Sequence, residues 1–446
     1  MKVKTGSPWA KIVLAALVGG VIEILWTLYN IYVPLWLQSG NPGFKASGTS
    51  LVGFGFSASV TGIILTIDNV AGLFISPVAG ALSDTTRTRW GRRMPWIAIA
   101  TPIGALAFML LPVIAMQIPA GLNGQTTELT RYFVPFMASL LFIILPLSIM
   151  RNPAEALLYD ITPSSDRTMA SAISNLVGAV SGIIASIVAA GLFAIHAGLP
   201  FWLFGVMCIV LIALVALFVK EPQASSMRDS DDKTDGFTHI VASLKSMSAE
   251  SKHSLLFILL STFFFYLAFS QLGSFISSYA VVVLGMSTGS SGLFYAAGGA
   301  AFFVGAMPAG IIAKKLTRKK TAAIGLVVFA VVAALIYVST NHTVIWVAMM
   351  IGGFFSSFTM VSLDPMVVDS APNDDVLGTL LSIQRVGKLL SYVAGPILGG
   401  FLIEYFGNNY RNTWLVILFG CVAGAVALIP IRKGEQREVV QESSHA

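Results

Sequence analysis

The chain has 446 residues, of which 56% are hydrophobic and only 11% charged, whereas soluble domains carry about a quarter charged residues. With a mean hydropathy of +0.81, this composition excludes a soluble globular enzyme as the leading class. A pI near 9.2 invites a nucleic-acid reading, because a basic patch is the footprint of such binding. The Lys and Arg residues instead form short clusters between apolar runs, the pattern of charges that orient a chain in a membrane.

Twelve apolar runs reach the roughly 20 residues that a spanning helix needs. They cover 9–37, 55–82, 95–116, 132–159, 168–195, 200–219, 254–284, 289–313, 321–339, 343–370, 376–405 and 412–431. Lys2, Lys4 and Lys11 before LAALVGG give the start a superficial likeness to a signal peptide. The apolar character continues to Trp36, which is the length of a spanning helix. Cys208 and Cys421 lie inside apolar runs and read as small buried hydrophobes, with no disulfide framework or metal-ligand spacing.

Most of the 27 Lys and Arg residues fall on the side that holds both ends of the chain, while Lys45, Arg131 and Arg411 fall on the other. This asymmetry predicts that both termini are cytoplasmic. The longest hydrophilic interval, Lys220 to Lys252, is rich in Ser, Asp and Lys and reads as a partly disordered linker. Within it, HIVASLKSM reads either as a short amphipathic surface helix or as a solvated connector. The expected organisation is an N-terminal six-helix bundle (1–219), a linker (220–253), a C-terminal six-helix bundle (254–432) and a cytoplasmic tail (433–446).

The halves carry a repeat. Asp160, Pro163 and Asp166 end the fourth run in a D-x-x-P-x-x-D pattern, and Asp369, Pro372 and Asp375 end the tenth in the same pattern. Asn152-Pro153 and Asp364-Pro365 lie upstream. A looser pair, GALSDTTRTRWGRR and AGIIAKKLTRKK, follows the second and eighth runs.

On these residues the chain resembles the major facilitator superfamily. SDTTRTRWGRRMPW is similar to the loop of the glycoside-pentoside-hexuronide cation symporters and their sucrose-transporter relatives, and RNPAEALLYDITPSSDR to the same group's fourth-helix segment. The resemblance spans essentially the whole chain. It implies an all-α membrane protein with twelve transmembrane helices in two pseudo-symmetric six-helix bundles. It further implies a secondary transporter of the inner membrane that imports a sugar, such as sucrose or another glucoside, by proton symport with alternating access. Sodium-coupled glycoside uptake, export of another polar solute, and a non-transporting sensor or scaffold are the competing readings. The expected partners are a small-molecule sugar and the lipid bilayer, with no nucleic acid and no cofactor, and the expected state is a monomer. No Ser/His/Asp, phosphate-loop or zinc pattern supports an enzyme.

Charged side chains in hydrocarbon cost roughly 2.5–3.5 kcal/mol each, so those that persist face cavities or partners. Glu23, Asp68, Arg151, Glu155, Asp364, Arg385 and Lys388 lie within the runs. Glu23 and Asp68 fall about 20 Å, and Arg385 about 14 Å, from the starts of their runs at 1.5 Å per residue. That depth is where the sites of such folds form.

Asp68 is the expected proton-coupling carboxylate, because a carboxyl deprived of water favours its neutral form and can load and release a proton. The competing reading is an acid held charged by Arg151 or Arg385. Glu23 partly shares its face with Trp26, Tyr29 and Asn30, a carboxylate for hydroxyls beside a ring for the C–H face of a pyranose. The resemblance to carriers of the melibiose type, which have a sugar-binding Asp near this position, implies that role for Glu23, which is also a second coupling candidate. An acid paired with a core base, among packing aromatics, is the alternative.

Arg151 and Glu155 are four apart and read either as an intrahelical ion pair or as substrate contacts. Relatives with Arg at the position of Glu155 imply that Arg151 takes over that role. Asn152, Gln271, Arg385 and Lys388 complete the candidate substrate set, with helix packing as the alternative for Gln271 and a helix neighbour for Lys388. Gly178-x-x-x-Gly182 and Gly395-x-x-x-Gly399 read as packing steps, and Asp364 as too close to the cytoplasmic end for central coupling. Asp84, Arg92, Arg93, Asp160, Arg167 and Asp369 form the expected cytoplasmic gate. Sodium-using relatives carry two carboxylates in the second helix where this chain has Gly72 and Ser76, so the resemblance favours H+ over Na+ and gives no metal site.

Overall fold

A computed structural model of the protein describes residues 8–45, 51–163, 166–221, 248–370 and 377–432. Most of the expected linker, its HIVASLKSM segment, the Pro372 and Asp375 part of the second repeat, and the tail lie outside these residues. The described residues are helical, with α1 (Pro8–Gln38), α2 (Ala58–Ile64), α3 (Ile67–Thr85), α4 (Met94–Met116), α5 (Thr130–Asp160), α6 (Arg167–Ile195) and α7 (Leu199–Phe218). They continue with α8 (Ala249–Val282), α9 (Ser291–Lys315), α10 (Arg318–Val338), α11 (His342–Asp369), α12 (Leu377–Tyr405) and α13 (Thr413–Leu428). Among them are 12 spans long and apolar enough to cross a membrane.

Each span coincides with an expected run, but the second is broken into α2 and α3. The Ile63 carbonyl accepts both the N–H of Thr66 at 3.1 Å and its hydroxyl at 2.7 Å. Two bonds reaching back three residues tighten the turn and end the α-ladder there. α3 therefore starts at Ile67 and carries Asp68 in its first turn, where a helix presents N–H groups without intrahelical partners.

The chain forms two compact units. The first is Met1–Ser226 with Gln271–Ala300 and Pro396–Thr413; the second is Met227–Ser270, Ala301–Gly395 and Trp414–Ala446. The division thus passes through α8, α9 and α12 as well as through the expected linker. Glycine explains much of the first unit's reach: a Cβ on Gly62 of α2 would overlap the Pro396 carbonyl, and one on Gly400 of α12 the Ala58 carbonyl. Backbone meets backbone where side chains are missing. The Tyr410 hydroxyl adds a 2.5 Å bond to Gln38 Oε1.

Inside the first unit, α1 packs on α6 through small residues. A Cβ on Gly182 would lie 2.9 Å from Thr27 Oγ1, and one on Gly178 3.2 Å from Glu23 Cγ. Further along α1, Tyr32 stacks on Phe193 at 4.5 Å and Trp36 lies 5.1 Å from Phe201, ring centroid to ring centroid. In the second unit, Gly325 of α10 lies against the Phe355 carbonyl of α11, and Thr359 Oγ1 donates to the Ala322 carbonyl at 3.1 Å.

Candidate functional site

Between Leu14 and Ser39, Glu23 is the one exposed residue of α1. Gly19, Trp26 and Asn30 are half-buried and recur with it at spacings of three and four residues, so one stripe of the helix is open. Glu23 reaches this opening over Gly178, which has no side chain to cover it. Trp26 and Asn30 share the stripe, but Tyr29 does not. Six residues past Glu23 turn it about 240° around the helix, and it is 1% exposed, with its hydroxyl unpartnered among the described residues. Its ring meets Trp26 edge-on at 5.3 Å, so Tyr29 supports the half-buried Trp26 ring from behind.

Two neighbours come from distant sequence. The Asn30 amide nitrogen lies 3.6 Å from where a Cβ on Gly273 of α8 would stand. Tyr295 of α9 lies within the electrostatic reach of Glu23. Sequence reading passed over Tyr295 because nothing near it in the chain marks it.

Asp68 is half-buried and accepts a 2.7 Å bond from the side-chain amide of Asn69. Arg151 of α5 is exposed, and its charge reaches both Asp68 and Glu23. Among the described residues no ion pair joins Arg151 to Glu155, which is also exposed, one turn on. The structure thus brings one cation within electrostatic range of two acids, on α1 and α3.

Asn152 is turned away from this opening. Its amide donates to the Ser76 carbonyl at 2.7 Å, and the Ser76 hydroxyl donates to the Ser148 carbonyl at 2.8 Å. These bonds stitch α3 to α5 beside Pro77. Ser76 is buried, while a Cβ on Gly72 would meet nothing within 4 Å. Gln271 of α8 is also given to packing, because its buried side chain fills the space left by Gly399 of α12.

In the second unit Arg385 is exposed on α12. Lys388 points to a helix neighbour, with its ammonium 2.7 Å from Asp364 Oδ1 and 4.8 Å from the centroid of the Tyr266 ring. Gln384 donates to the same oxygen at 3.0 Å.

The basic loop before α4 forms a cluster of its own. Asp160 pairs with Arg92 at 3.0 Å and with Arg93 at 3.3 Å, and buried Arg93 also pairs with Asp84 and donates to Ser83 Oγ at 2.6 Å. In the second unit Asp369 pairs with Arg318, which also donates to the Pro365 carbonyl at 3.1 Å. The first acid of each D-x-x-P-x-x-D thus holds an arginine of a basic loop. Arg167, the first residue of α6, is exposed and joins none of these ion pairs among the described residues.

Glu221 was not anticipated. Its carboxylate accepts backbone N–H bonds from Arg92 at 2.5 Å, Arg93 at 2.9 Å and Met94 at 2.6 Å, which satisfies the free donors at the start of α4. Gly91 (φ +107°) is required beside it, because a Cβ there would overlap this carboxylate. The available signal was an acid just beyond a helix end and a glycine within a run of arginines.

The sequence profile of the Major Facilitator Superfamily matches residues 15–321 and 291–444. An uncharacterized symporter of Synechocystis is 30% identical over 147 residues, which is 33% of this chain and 26% of that protein's length. The fold is similar to that of a bacterial homologue of the human lysosomal transporter Spinster, with a TM-score of 0.67 and 12% identity over 96% of this chain and 95% of the other. It is also similar to a D-xylose-proton symporter, with a TM-score of 0.63 and 15% identity over 96% of this chain and 99% of the other.

Proposed function

The chain belongs to the Major Facilitator Superfamily, a family of transporters rather than enzymes, and from that premise we propose that it imports a sugar by proton symport. What supports this reading is that the charge of Arg151 acts electrostatically on both Glu23, on the open stripe of α1, and Asp68, beside the break between α2 and α3. Discontinuous helices are where transporters of this kind build ion and substrate sites.

Glu23 accepts sugar hydroxyls, Asn30 adds an amide, and Trp26 covers the C–H face of the ring. Asp68 takes up the coupling proton. While Asp68 is charged it shares Arg151 with Glu23; when it is protonated, Arg151 is left to Glu23 and the bound sugar. A sodium site needs several hard oxygen ligands, and the Ser76 hydroxyl is given to the Ser148 carbonyl while Gly72 offers none. The names of the Synechocystis and D-xylose proteins support symport and a sugar as the first substrates to try. The reading places the protein in the cytoplasmic membrane as a monomer with both termini inside, so that the arginine cluster around Asp160 is the cytoplasmic gate.

Uptake in proteoliposomes against a panel of mono- and disaccharides tests it. Accumulation should follow an imposed pH gradient and ignore a sodium gradient. Asp68→Asn should abolish accumulation while sparing sugar exchange, and Glu23→Gln should weaken both. Accumulation driven by sodium alone would overturn the proton assignment.

A further inference from the structure

The seam between α10 and α13, in the second unit, holds a groove of about 560 Å³ that takes no part in the site just described. On α10 its lining residues Ala323, Val327, Ala330, Val331 and Ala334 recur at helical spacing and form one face. On α13 Cys421, Val422, Ala425 and Val426 do the same. Behind the groove the two helices touch, with Leu326 3.3 Å from where a Cβ on Gly424 would stand. Buried Ala330 and Cys421 make the floor, while Val331 and Val426, 62% and 57% exposed, stand as walls. Small side chains between larger ones thus leave a channel that the protein does not fill.

The matching seam of the first unit, between the third and sixth spans, is closed. A Cβ on Gly205 of α7 would overlap the Met109 side chain of α4, and Trp202 Nε1 donates to the Met109 carbonyl at 3.1 Å. The opening therefore belongs to the ninth and twelfth spans and is not a general property of the repeat.

From Ala323 to Ala334 the groove is about 17 Å long at 1.5 Å per residue, roughly half the hydrocarbon core of about 30 Å, which is the depth of one leaflet. Its end at Ala323 is basic. Lys319 and Lys320 stand four and three residues before Ala323, on the same face of α10. Lys319 Nζ donates to the Ile429 carbonyl at 3.1 Å and the Ile431 carbonyl at 2.6 Å. That contact offsets the negative end of α13 and brings Arg432, the next residue, to the same mouth. Lys320 and Arg432 are exposed, and among the described residues neither is paired with an acid.

We propose that this groove binds an anionic phospholipid, with one acyl chain between α10 and α13 and the phosphate on Lys320 and Arg432 beside the Lys319 ammonium. Basic sites between membrane helices select acidic headgroups in this way. The apolar channel sets where the chain lies, and the cations set which headgroup is held. A second copy of the protein suits the groove less well, because a symmetric pairing through it would bring two such basic mouths together.

The test uses the full-length protein, stripped of lipid in detergent and incubated with dioleoyl phosphatidylglycerol or dioleoyl phosphatidylcholine. Native mass spectrometry counts the lipid retained. One phosphatidylglycerol should be held under conditions that remove phosphatidylcholine, and it should raise the unfolding temperature, as a ligand of the folded state does. Lys320→Gln with Arg432→Gln should lower that retention several-fold, to the phosphatidylcholine level. Ala425→Phe, at a half-buried position in the groove, should abolish it while the lipid-free protein unfolds near the parent's temperature. Ala323→Phe, half-buried on the facing helix, carries the same test if Ala425→Phe fails to fold. Equal retention of the two lipids by the parent, or phosphatidylglycerol retention unchanged by the charge variant or by a filled groove, would show surrounding lipid only and overturn the proposal. A dimer of the lipid-free protein that Ala425→Phe dissociates would overturn it as well, by giving the groove to a second copy.

Discussion

Two ties of the same kind are made with opposite chemistry in the two units. In the first, Glu221, just beyond α7, accepts three N–H groups at the start of α4. In the second, Lys319, near the start of α10, donates to the Ile429 carbonyl at 3.1 Å and the Ile431 carbonyl at 2.6 Å, beyond the end of α13. Each tie joins the last span of one sequence half to the third span of that half, close to the Asp that holds the loop's arginine. In one case an acid caps a helix start, and in the other a base caps a helix end, and both are favourable by the same macrodipole argument. The pseudo-repeat survives as a pattern of contacts after the residues making it have diverged.

The comparison is broken most severely at its most buried member. Asp160 holds two arginines, and Arg93 is only 6% exposed. Asp160→Asn should therefore destabilise by about 3 kcal/mol, the range for removing one partner of a buried pair. Asp369→Asn faces the more exposed Arg318 and should cost about 1 kcal/mol. Thermal unfolding of both variants in detergent checks the order, and equal losses would show that the two clusters are not built on different degrees of burial. Next comes Gly91→Ala, where a positive φ and the overlap with Glu221 together should cost about 1–3 kcal/mol, read as a lowered Tm.

The ties themselves sharpen the contrast. Glu221→Ala strands three donors at a helix start, and bonds to a charged group contribute roughly 1.5–3 kcal/mol, so the loss should approach that of Gly91→Ala. Lys319→Ala leaves the exposed Ile429 carbonyl to water and the part-buried Ile431 carbonyl without this donor, and should cost about 1 kcal/mol. Glu221→Gln keeps the acceptor oxygen and should fall between them. If Lys319→Ala were the more damaging, the second tie would carry more of its unit's stability than its exposed position implies.

Hydropathy made the twelve spans legible because each is a predominantly apolar run of spanning length. It did not show the break at Thr66, which depends on one hydroxyl and one N–H reaching the same Ile63 carbonyl. Glu23 and Asp68 stood out as charges in apolar surroundings, and the α1 stripe placed Trp26 and Asn30 with Glu23 by helical period. The same period turns Tyr29 off that stripe, whereas Asn152 and Gln271 could not be sorted in that way, because their side chains are directed by tertiary neighbours, the Ser76 carbonyl and Gly399. Asp160 and Asp369 were visible through their repeated motif. Glu221, Tyr295 and Lys319 were not, since each acts on an element far away in the chain.

The smallest effect is expected at Arg167, which sequence placed in the gate with Asp160. It begins α6, directly after the described Asp166, and its side chain is exposed, whereas Arg92 and Arg93 are held by Asp160 and by the Glu221 contact to their backbone. A solvated surface charge without such contacts changes stability by no more than about 0.5 kcal/mol when neutralised. Arg167→Gln should therefore leave the unfolding temperature unchanged and transport close to that of the parent, while Arg92→Gln, one bond from Asp160, lowers both. Should Arg167→Gln impair transport as strongly as Arg92→Gln, the cluster around Asp160 must recruit a further arginine during transport, and the likeness to the single-arginine cluster at Asp369 would fail.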